Sequence, residues 1–299
     1  MELKQAIGIR RTIRFYNPYR PVEREKIQKM LEAARLASFW GNVQALRAIV
    51  MFRGESPPET WDALVAPLGT SQLKHAPVVI LWYWVEEAIF DRKTGHATQG
   101  DRLHELTDAR VMGLDPALEH QYLDQLLIPY FKLNYEGLMK TGLTDMDCGQ
   151  GIGQATLVAY DEGLGTCCLG TGSLDGPREK RMRKLFKLPE SAHLLVLMTV
   201  GYPLESREAG GQRPKLPFGQ LYFVNEHGKP FERDPKVVAE LERDGMIQAP
   251  APLPYRQKEL EFMHRALEIV PNPITAAPNA KPAAAAPAPG HPTHTGAGK

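Results

Sequence analysis

The hydrophobic and polar positions along the chain predict helices arranged around a small buried sheet. Residues 23–37 form one apolar stripe at helical spacing, which predicts a helix. The stripe consists of Ile27, Met30, Leu31 and Ala34. Two other segments, 77–85 and 193–201, are apolar on both faces of a pleated strand, which is typical of strands covered by helices on both sides.

The same periodicities predict further elements, which together indicate a single α+β or α/β domain. Pro129 lies inside a largely helical region, where a proline predicts a break or a kink. The further helices are predicted at 2–8, near 59–66, through much of 101–141, at 150–162 and at 179–187, and the further strands at 47–52 and 219–225.

The composition changes after about residue 270. Residues 271–299 are rich in proline and alanine and contain no aromatic residue, so they cannot bury enough apolar surface to offset the entropy lost on ordering. We therefore expect a main domain at 1–225, an extension at 226–270 that packs on the domain or on a partner subunit, and a disordered tail. His291 and His294 in this tail could hold a metal, although a solvated tail without metal is the favoured interpretation.

Charge and cysteine content exclude several classes of protein. The chain has 36 Lys and Arg against 35 Asp and Glu, and a net charge of +1 does not favour general nucleic-acid binding. Three cysteines are too few for a secreted disulfide framework and favour a reducing cytoplasm. The beginning of the sequence lacks the apolar region of a signal peptide, and the longest apolar run, 78–85, is much shorter than the roughly 20 residues that span a bilayer.

Candidate chemistry begins with a basic cluster at 9–16, IRRTIRFY. If this segment is extended, Arg10, Thr12 and Arg14 share one face. Two guanidinium forks and a hydroxyl on one face suit a phosphate, which accepts bidentate hydrogen bonds. Arg11 is adjacent to that face. The alternative is a solvated basic turn after a short helix.

A second polar cluster lies at 38–47, SFWGNVQALR, between a predicted helix and a predicted strand. Asn42 and Gln44 share a face if this loop is extended. Carboxamides both donate and accept hydrogen bonds, which suits the edge of a heterocycle. The alternative is ordinary turn chemistry at Gly41 and Asn42.

Two later segments could complete such a site. GLGTCCLGTG at 163–172 is predicted to be a glycine-rich loop that presents backbone N–H groups to a flat ring, or else an ordinary turn after a helix end. GQRPKLP at 211–217 places Arg213 and Lys215 on one face if it is extended, or else is a solvated surface loop.

The segment GQGIGQ at 149–154 is not a dinucleotide fingerprint. Its last position is Gln154 instead of glycine, and no strand is predicted before it, whereas the fingerprint requires a strand, a turn and a helix in that order. We interpret its glycines as a small face near the start of a helix that allows close packing.

In their order along residues 1–225, these motifs resemble the nitroreductase family of FMN enzymes. RRTIR resembles the family's opening R-R-S-x-R, with Thr12 in the serine position, and FWGNVQALR resembles its S-x-x-N-x-Q-P-W-x loop. Residues 147–170 resemble the family's helix and glycine loop. VGYP at 200–203, followed by the basic residues at 213–215, resembles its closing strand and late basic motif.

The resemblance implies an α+β three-layer fold with a mainly antiparallel central sheet, and a homodimer with a shared flavin site. It implies FMN as cofactor, NAD(P)H as co-substrate, and ping-pong transfer of hydride to a nitroaromatic, quinone or similar conjugated acceptor. The flavin itself would carry the chemistry, with no catalytic side chain and no metal. Alternatives are a specialised enzyme of this fold acting on an enone, a halophenol or a flavin, a flavin-binding sensor or storage protein, and an anion-binding module.

The family's cofactor positions can be carried over onto this chain by resemblance. The basic face near the start would follow the phosphate, the ribityl chain and the ring edge, and the basic pair of 211–217 would close on the phosphate. The two carboxamides would contact the ring or the ribityl chain, and 168–170 would lie over the isoalloxazine. The expected cofactor-binding residues are Arg10, Arg11, Thr12, Arg14, Asn42, Gln44, Cys168, Leu169, Gly170, Arg213 and Lys215.

Overall fold

The computed structural model describes residues 2–64, 71–111, 113, 115–170, 176–206, 210–250 and 256–267. The tail predicted to be disordered, 271–299, lies outside these residues. Four strands are described, namely β1 Leu46–Phe52, β2 Val78–Val85, β3 Gly165–Gly170 and β4 Ala192–Gly201.

The helices include all of those predicted, with small changes at their ends. Within the described ranges, none of them combines the length and the apolar character needed to cross a membrane. They are α1 Leu3–Ile9, α2 Arg24–Arg35, α3 Pro58–Leu64, α4 Thr98–Asp108, α5 Pro116–Tyr122, α6 Ile128–Met139, α7 Leu143–Asp161, α8 Gly176–Leu185, α9 Phe218–Leu221, α10 Pro235–Arg243 and α11 Arg256–Ala266.

The strands form one sheet in the order β1-β2-β4-β3, and each neighbouring pair is antiparallel. At the β3 edge, the N-terminal segment adds a short parallel bridge between Thr12 and Thr166. There the backbone N–H of Ile13 donates to the carbonyl of Thr166 at 3.0 Å. The predicted α+β class with a mainly antiparallel sheet is confirmed.

Helices cover the sheet on both faces, which gives three layers. On one face, α2 and α7 pack against the sheet through residues such as Met30, Trp82 and Ala155. On the other face, α3 and α8 pack through residues such as Leu64 and Met182. The apolar character of β2 on both faces, noted in the sequence, follows from this double coverage.

The glycines of GQGIGQ lie within α7, so no strand precedes them and the dinucleotide fingerprint is excluded. Gly151 has the packing role that the sequence predicted, because a Cβ there would lie 3.0 Å from the Ala34 carbonyl oxygen of α2. The helix itself begins at Leu143, earlier than predicted, so these glycines lie in its middle instead of at its start.

The predicted strand at 219–225 is wrong. Phe218–Leu221 is a short helix, and after it Phe223 makes only an isolated bridge to Pro230. The apolar residues Phe218, Leu221 and Tyr222 have i, i+3, i+4 spacing, so one helical turn presents all three to a groove shared with α10. Helical spacing over so short a segment was mistaken for alternation.

The helical region after β2 contains the predicted irregularity. α5 and α6 are joined by one π-helical turn, Leu123–Leu127, just before Pro129. A proline cannot donate the backbone hydrogen bond that a regular α-helix would require at that position. The chain accommodates it by widening the preceding turn.

The extension at 226–270 packs on the N-terminal segment of its own chain. Lys4 on α1 donates to Asp244 at 2.6 Å and to Glu240 of α10 at 3.0 Å. Further along, Met263 of α11 is buried against Phe15. Both helices of the extension therefore lie beside the basic cluster.

Glu86, just after β2, predicts a pH-dependent contribution to stability. Burial acts to raise the pKa of this carboxyl, but hydrogen bonds from His193, Arg92 and Tyr135 outweigh it and lower the pKa below 4.5. A lowered carboxyl pKa stabilises the fold above the unfolded-state pKa, and that stability is lost as the pH falls through the folded-state pKa. We expect the free energy of urea unfolding to fall below about pH 4.5 less steeply in Glu86→Gln than in the wild type.

A matched variant, Glu190→Gln, removes one exposed carboxylate instead. It should keep the wild-type pH profile. If Glu86→Gln and the wild type lose stability in parallel between pH 7 and pH 3, the hydrogen bonds to Glu86 do not have the assigned effect.

Candidate functional site

The basic cluster forms an extended strand-like segment with alternating exposure. Arg14 is exposed and Arg10 and Thr12 are partly exposed, whereas the intervening side chains of Arg11 and Ile13 are buried. The shared face expected from the sequence is therefore present. It is a cationic surface with a hydroxyl at its centre.

Contacts on the buried side hold this segment rigidly. The hydroxyl of Tyr16, itself fully buried, donates to the Ile13 carbonyl at 2.6 Å. The Glu205 carboxylate accepts the backbone N–H groups of Arg14 at 2.5 Å and of Phe15 at 3.1 Å. Because the backbone is held from the interior, Arg10 and Arg14 project outward without local support from their own neighbours.

The structure does not place Arg11 on this face. Its side chain is 7% exposed, and its Nη1 donates to the Gly8 carbonyl at 2.6 Å. Its Nη2 donates to Gln248 of the extension at 2.8 Å. Arg11 therefore points into the protein and joins the N-terminal segment to the C-terminal extension.

The glycine-rich segment is a strand instead of the predicted loop, which corrects the prediction for 163–172. From Gly165 to Gly170 the chain pairs with β4, and glycine at 165 is required because a Cβ there would lie 2.6 Å from the Cβ of Ile13. Residues 171–172 lie outside the described part of the chain. Glycine content is a weak guide here, since the neighbouring strands, which are remote in sequence, decide the conformation.

The register of β3 determines where its N–H groups point. In an antiparallel ladder alternate residues direct both backbone groups toward the same side, and Thr166 directs its carbonyl outward to Ile13. Cys168 and Gly170 share that parity, so their N–H groups also point to the outer edge, beyond the bridge at Thr12. Leu169 instead packs partly against the core.

Charges on the N-terminal segment act on β3. Burial by surrounding atoms raises the pKa of the Cys168 thiol to about 11, Cys167 adds to this, and Arg10 opposes it. Burial likewise raises the pKa of Cys167, and the nearby Arg14 opposes it. Both cysteines are therefore protonated at neutral pH, which disfavours a nucleophilic or metal-binding role for them. The two arginines and the outer edge of β3 form one electropositive edge.

The segment 211–217 lies beside the start of the basic cluster. Gln212 donates to the Gly8 carbonyl at 3.1 Å and to the Met246 carbonyl at 2.7 Å. Arg213 and Lys215 are exposed on this segment. Lys215 lies at the rim of an apolar groove of about 800 Å³ between α9 and α10.

Asn42 and Gln44 lie at the opposite edge of the sheet. They precede β1, whereas the basic cluster lies beyond β3, so four strand spacings or about 19 Å separate the two groups. Both have left-handed backbone conformations, with φ of +53° and +46°, which are uncommon for residues other than glycine. Gln44 lines a cavity of about 220 Å³ with Arg35, Phe39 and other residues. Within one chain, one ring cannot contact both groups.

Comparison with known proteins identifies the family. The profile of the Nitroreductase family matches residues 7–113 and 130–202, which is more than half of the chain. The chain belongs to the nitroreductase family. This confirms the resemblance drawn from the motifs, and with it the oxidoreductase class expected for a member of this family.

Solved structures of the same fold agree with the family assignment. A nitroreductase of Exiguobacterium sibiricum in complex with FMN is 20% identical with a TM-score of 0.57, over 75% of this chain and 98% of that one. A protein of Staphylococcus epidermidis named as an NAD(P)H:FMN oxidoreductase is 13% identical with a TM-score of 0.58, over 75% and 95% of the two chains. Comparison with curated proteins gives no match. At these identities the structures show the fold.

Sequence reasoning missed the residues that hold the site of this nitroreductase-family chain in place. Glu205 is 4% exposed and anchors the basic segment, and Gln212 and Gln248 join it to the extension. No local pattern singles out these residues, because each acquires its role from a partner far away in the sequence.

Proposed function

We propose that this protein is an FMN-dependent oxidoreductase that transfers hydride from NAD(P)H to a nitroaromatic, quinone or similar conjugated acceptor by a ping-pong mechanism. The observation that carries the proposal is the face of Arg10, Thr12 and Arg14 beside the outer edge of β3. It combines cations, a hydroxyl and outward backbone donors, which are the groups that a phosphorylated flavin requires.

In this proposal the arginines and Thr12 bind the phosphate and ribityl chain of FMN. The N–H groups of Cys168 and Gly170 are positioned to donate to polar atoms of the ring. A fixed cation such as Arg14 would stabilise the negative charge of a reduced ring. When bound, FMN supplies the hydride chemistry, and the side chains of this site bind and orient it.

Arg213 and Lys215 are assigned to the phosphate end of the same site. They are exposed, and Gln212 holds their segment against Gly8, two residues before Arg10. Their exposure leaves them able to turn toward an anion bound there. Arg11 is not given this role, because its guanidinium is bonded to Gly8 and Gln248.

We further propose that the functional unit is a homodimer. Asn42 and Gln44 can contact the same flavin as the basic cluster only if they come from a second copy, because the width of the sheet separates them within one chain. Their left-handed backbones are the kind of local strain that is found at ligand sites. The cavity beside Gln44 contains Arg35 and Arg47, which adds positive charge there.

The test is the absorption spectrum of freshly purified protein, followed by identification of the chromophore released on heating. We expect flavin bands from FMN that bleach anaerobically with NADH or NADPH and return on addition of a quinone or nitroaromatic. A colourless protein that acquires no bands on incubation with FMN would contradict the proposal. Bound FMN that neither nicotinamide reduces would retain the site but exclude the reaction.

A further inference from the structure

Two histidines on neighbouring helices face each other outside the proposed flavin site. His104 lies on α4 and His120 on α5, and their Nδ1 atoms are in direct contact. The ring planes are within 15° of each other and the ring centroids are 4.5 Å apart. The side chains are 26% and 33% exposed, so solvent reaches them.

The other nitrogen of each ring is bonded to a carboxylate on the other helix segment. The Nε2 of His104 lies 2.9 Å from Asp124, and the Nε2 of His120 lies 2.7 Å from Asp108. An ionised carboxylate only accepts hydrogen bonds, so each Nε2 must carry the proton. Each Nδ1 is then left with a lone pair, and the two lone pairs point at each other. Such an arrangement requires a cation between them.

We propose that His104 and His120 form a binding site for a divalent transition-metal ion of the kind that imidazole prefers, with Zn²⁺ as the representative. The two Nδ1 atoms are the ligands. Asp108 and Asp124 bind the opposite nitrogens, an arrangement that metal-ligating histidines usually have and that fixes the tautomer and orients the ring. Their negative charge also favours a bound cation.

Water completes the coordination. Among the described residues, no group of three or more His, Cys, Asp or Glu could hold a metal ion by itself, so the site depends on the two imidazoles. Imidazole nitrogens suit Zn²⁺, Cu²⁺ and Ni²⁺, and Cu²⁺ should bind most tightly of the three. The bound ion would join α4 to α5 across the connection between them.

A sequence pattern accompanies this geometry. His and Asp recur four residues apart at 104–108, HELTD, and again at 120–124, HQYLD. Residues four apart lie on one face of a helix, so each segment presents one imidazole and one carboxylate to the other. The resulting arrangement is reciprocal, with each carboxylate bonded to the histidine of the opposite segment.

The experiment is calorimetric titration of Zn²⁺ into the full-length protein as purified, without an affinity tag. The background carries His291→Gln and His294→Gln, which removes the imidazoles of the tail. We expect one equivalent of Zn²⁺ to bind. His104→Gln and His120→Gln should each weaken binding at least tenfold, and Asp108→Asn with Asp124→Asn should weaken it by about tenfold or more.

The matched control is His96→Gln. His96 also lies 2.7 Å from a carboxylate, that of Asp101, but no second imidazole faces it. Its loss should leave the Zn²⁺ affinity unchanged. Electron paramagnetic resonance of Cu²⁺ bound to the same background should show coupling to two nitrogens, and to fewer in His104→Gln.

Two results would overturn the proposal. One is the absence of Zn²⁺ binding in the background, in which case a shared proton bridges the two rings. The other is equal Zn²⁺ affinity in the His104→Gln, His120→Gln and His96→Gln variants. Circular dichroism of each variant shows whether the helices remain folded, and the Asp→Asn pair, which keeps the side-chain shape, still tests the site if a histidine variant does not fold.

Discussion

Replacing both Arg10 and Arg14 by alanine is expected to lower the affinity for FMN by about two orders of magnitude or more while leaving the protein folded. Hydrogen bonds to charged groups each contribute roughly 1.5–3 kcal/mol, so losing two of them costs at least about 3 kcal/mol of binding. Both guanidinium groups belong to the outward face, and no described contact makes the fold depend on them. The affinity is measured by quenching of FMN fluorescence during titration of the apoprotein.

The matched control removes two arginines elsewhere. Arg24 pairs with Glu55 on the surface, and Arg181 is exposed on α8. The double variant Arg24→Ala, Arg181→Ala has the same net charge as the test variant and should keep the wild-type affinity. If both double variants bind FMN equally well, the basic face does not hold the phosphate and the flavin lies elsewhere.

Replacing Glu205 by alanine is expected to lower the free energy of unfolding by about 3–5 kcal/mol, the cost of leaving buried partners of a charged group unpaired. The carboxylate accepts the backbone N–H groups of Arg14 and Phe15 and also pairs with Arg256 of α11. Its side chain is 1% exposed, so water cannot replace it. Urea unfolding followed by circular dichroism measures the change.

Glu259 provides the comparison for this variant. It pairs with the same Arg256 at 2.8 Å, but its side chain is 33% exposed. Partly exposed ion pairs contribute little, so Glu259→Ala should cost less than about 1 kcal/mol. A double-mutant cycle of Glu205→Ala with Arg256→Met separates the ion pair from the two backbone hydrogen bonds. A cost below 1 kcal/mol for Glu205→Ala would show that the basic segment does not depend on this carboxylate.

The two sets of variants also test whether the extension supports the candidate site. Arg256 and Met263 belong to α11, and both act on the segment that carries Arg14 and Phe15. If Glu205→Ala weakens FMN binding as well as stability, α11 orients the basic face. If it lowers only stability, the face is held sufficiently by Tyr16 and β3.

The sequence alone determined the features that depend on local periodicity. The stripe at 23–37 became α2, and the doubly apolar run at 77–85 became β2, because burial on one or both faces of an element leaves a regular pattern. The shared outward face of Arg10 and Arg14 was predictable for the same reason. Alternation in an extended segment requires no knowledge of its neighbours.

Tertiary structure decided the features that depend on distant partners. Gly165–Gly170 became a strand because β4 pairs with it, and Arg11 turned inward because Gln248, 237 residues away, accepts its hydrogen bond. Asn42 and Gln44 lie across the sheet from the basic face because the strand order is β1-β2-β4-β3. Strand order and long-range hydrogen bonds arise from packing of the whole chain, and no local pattern of residues specifies them.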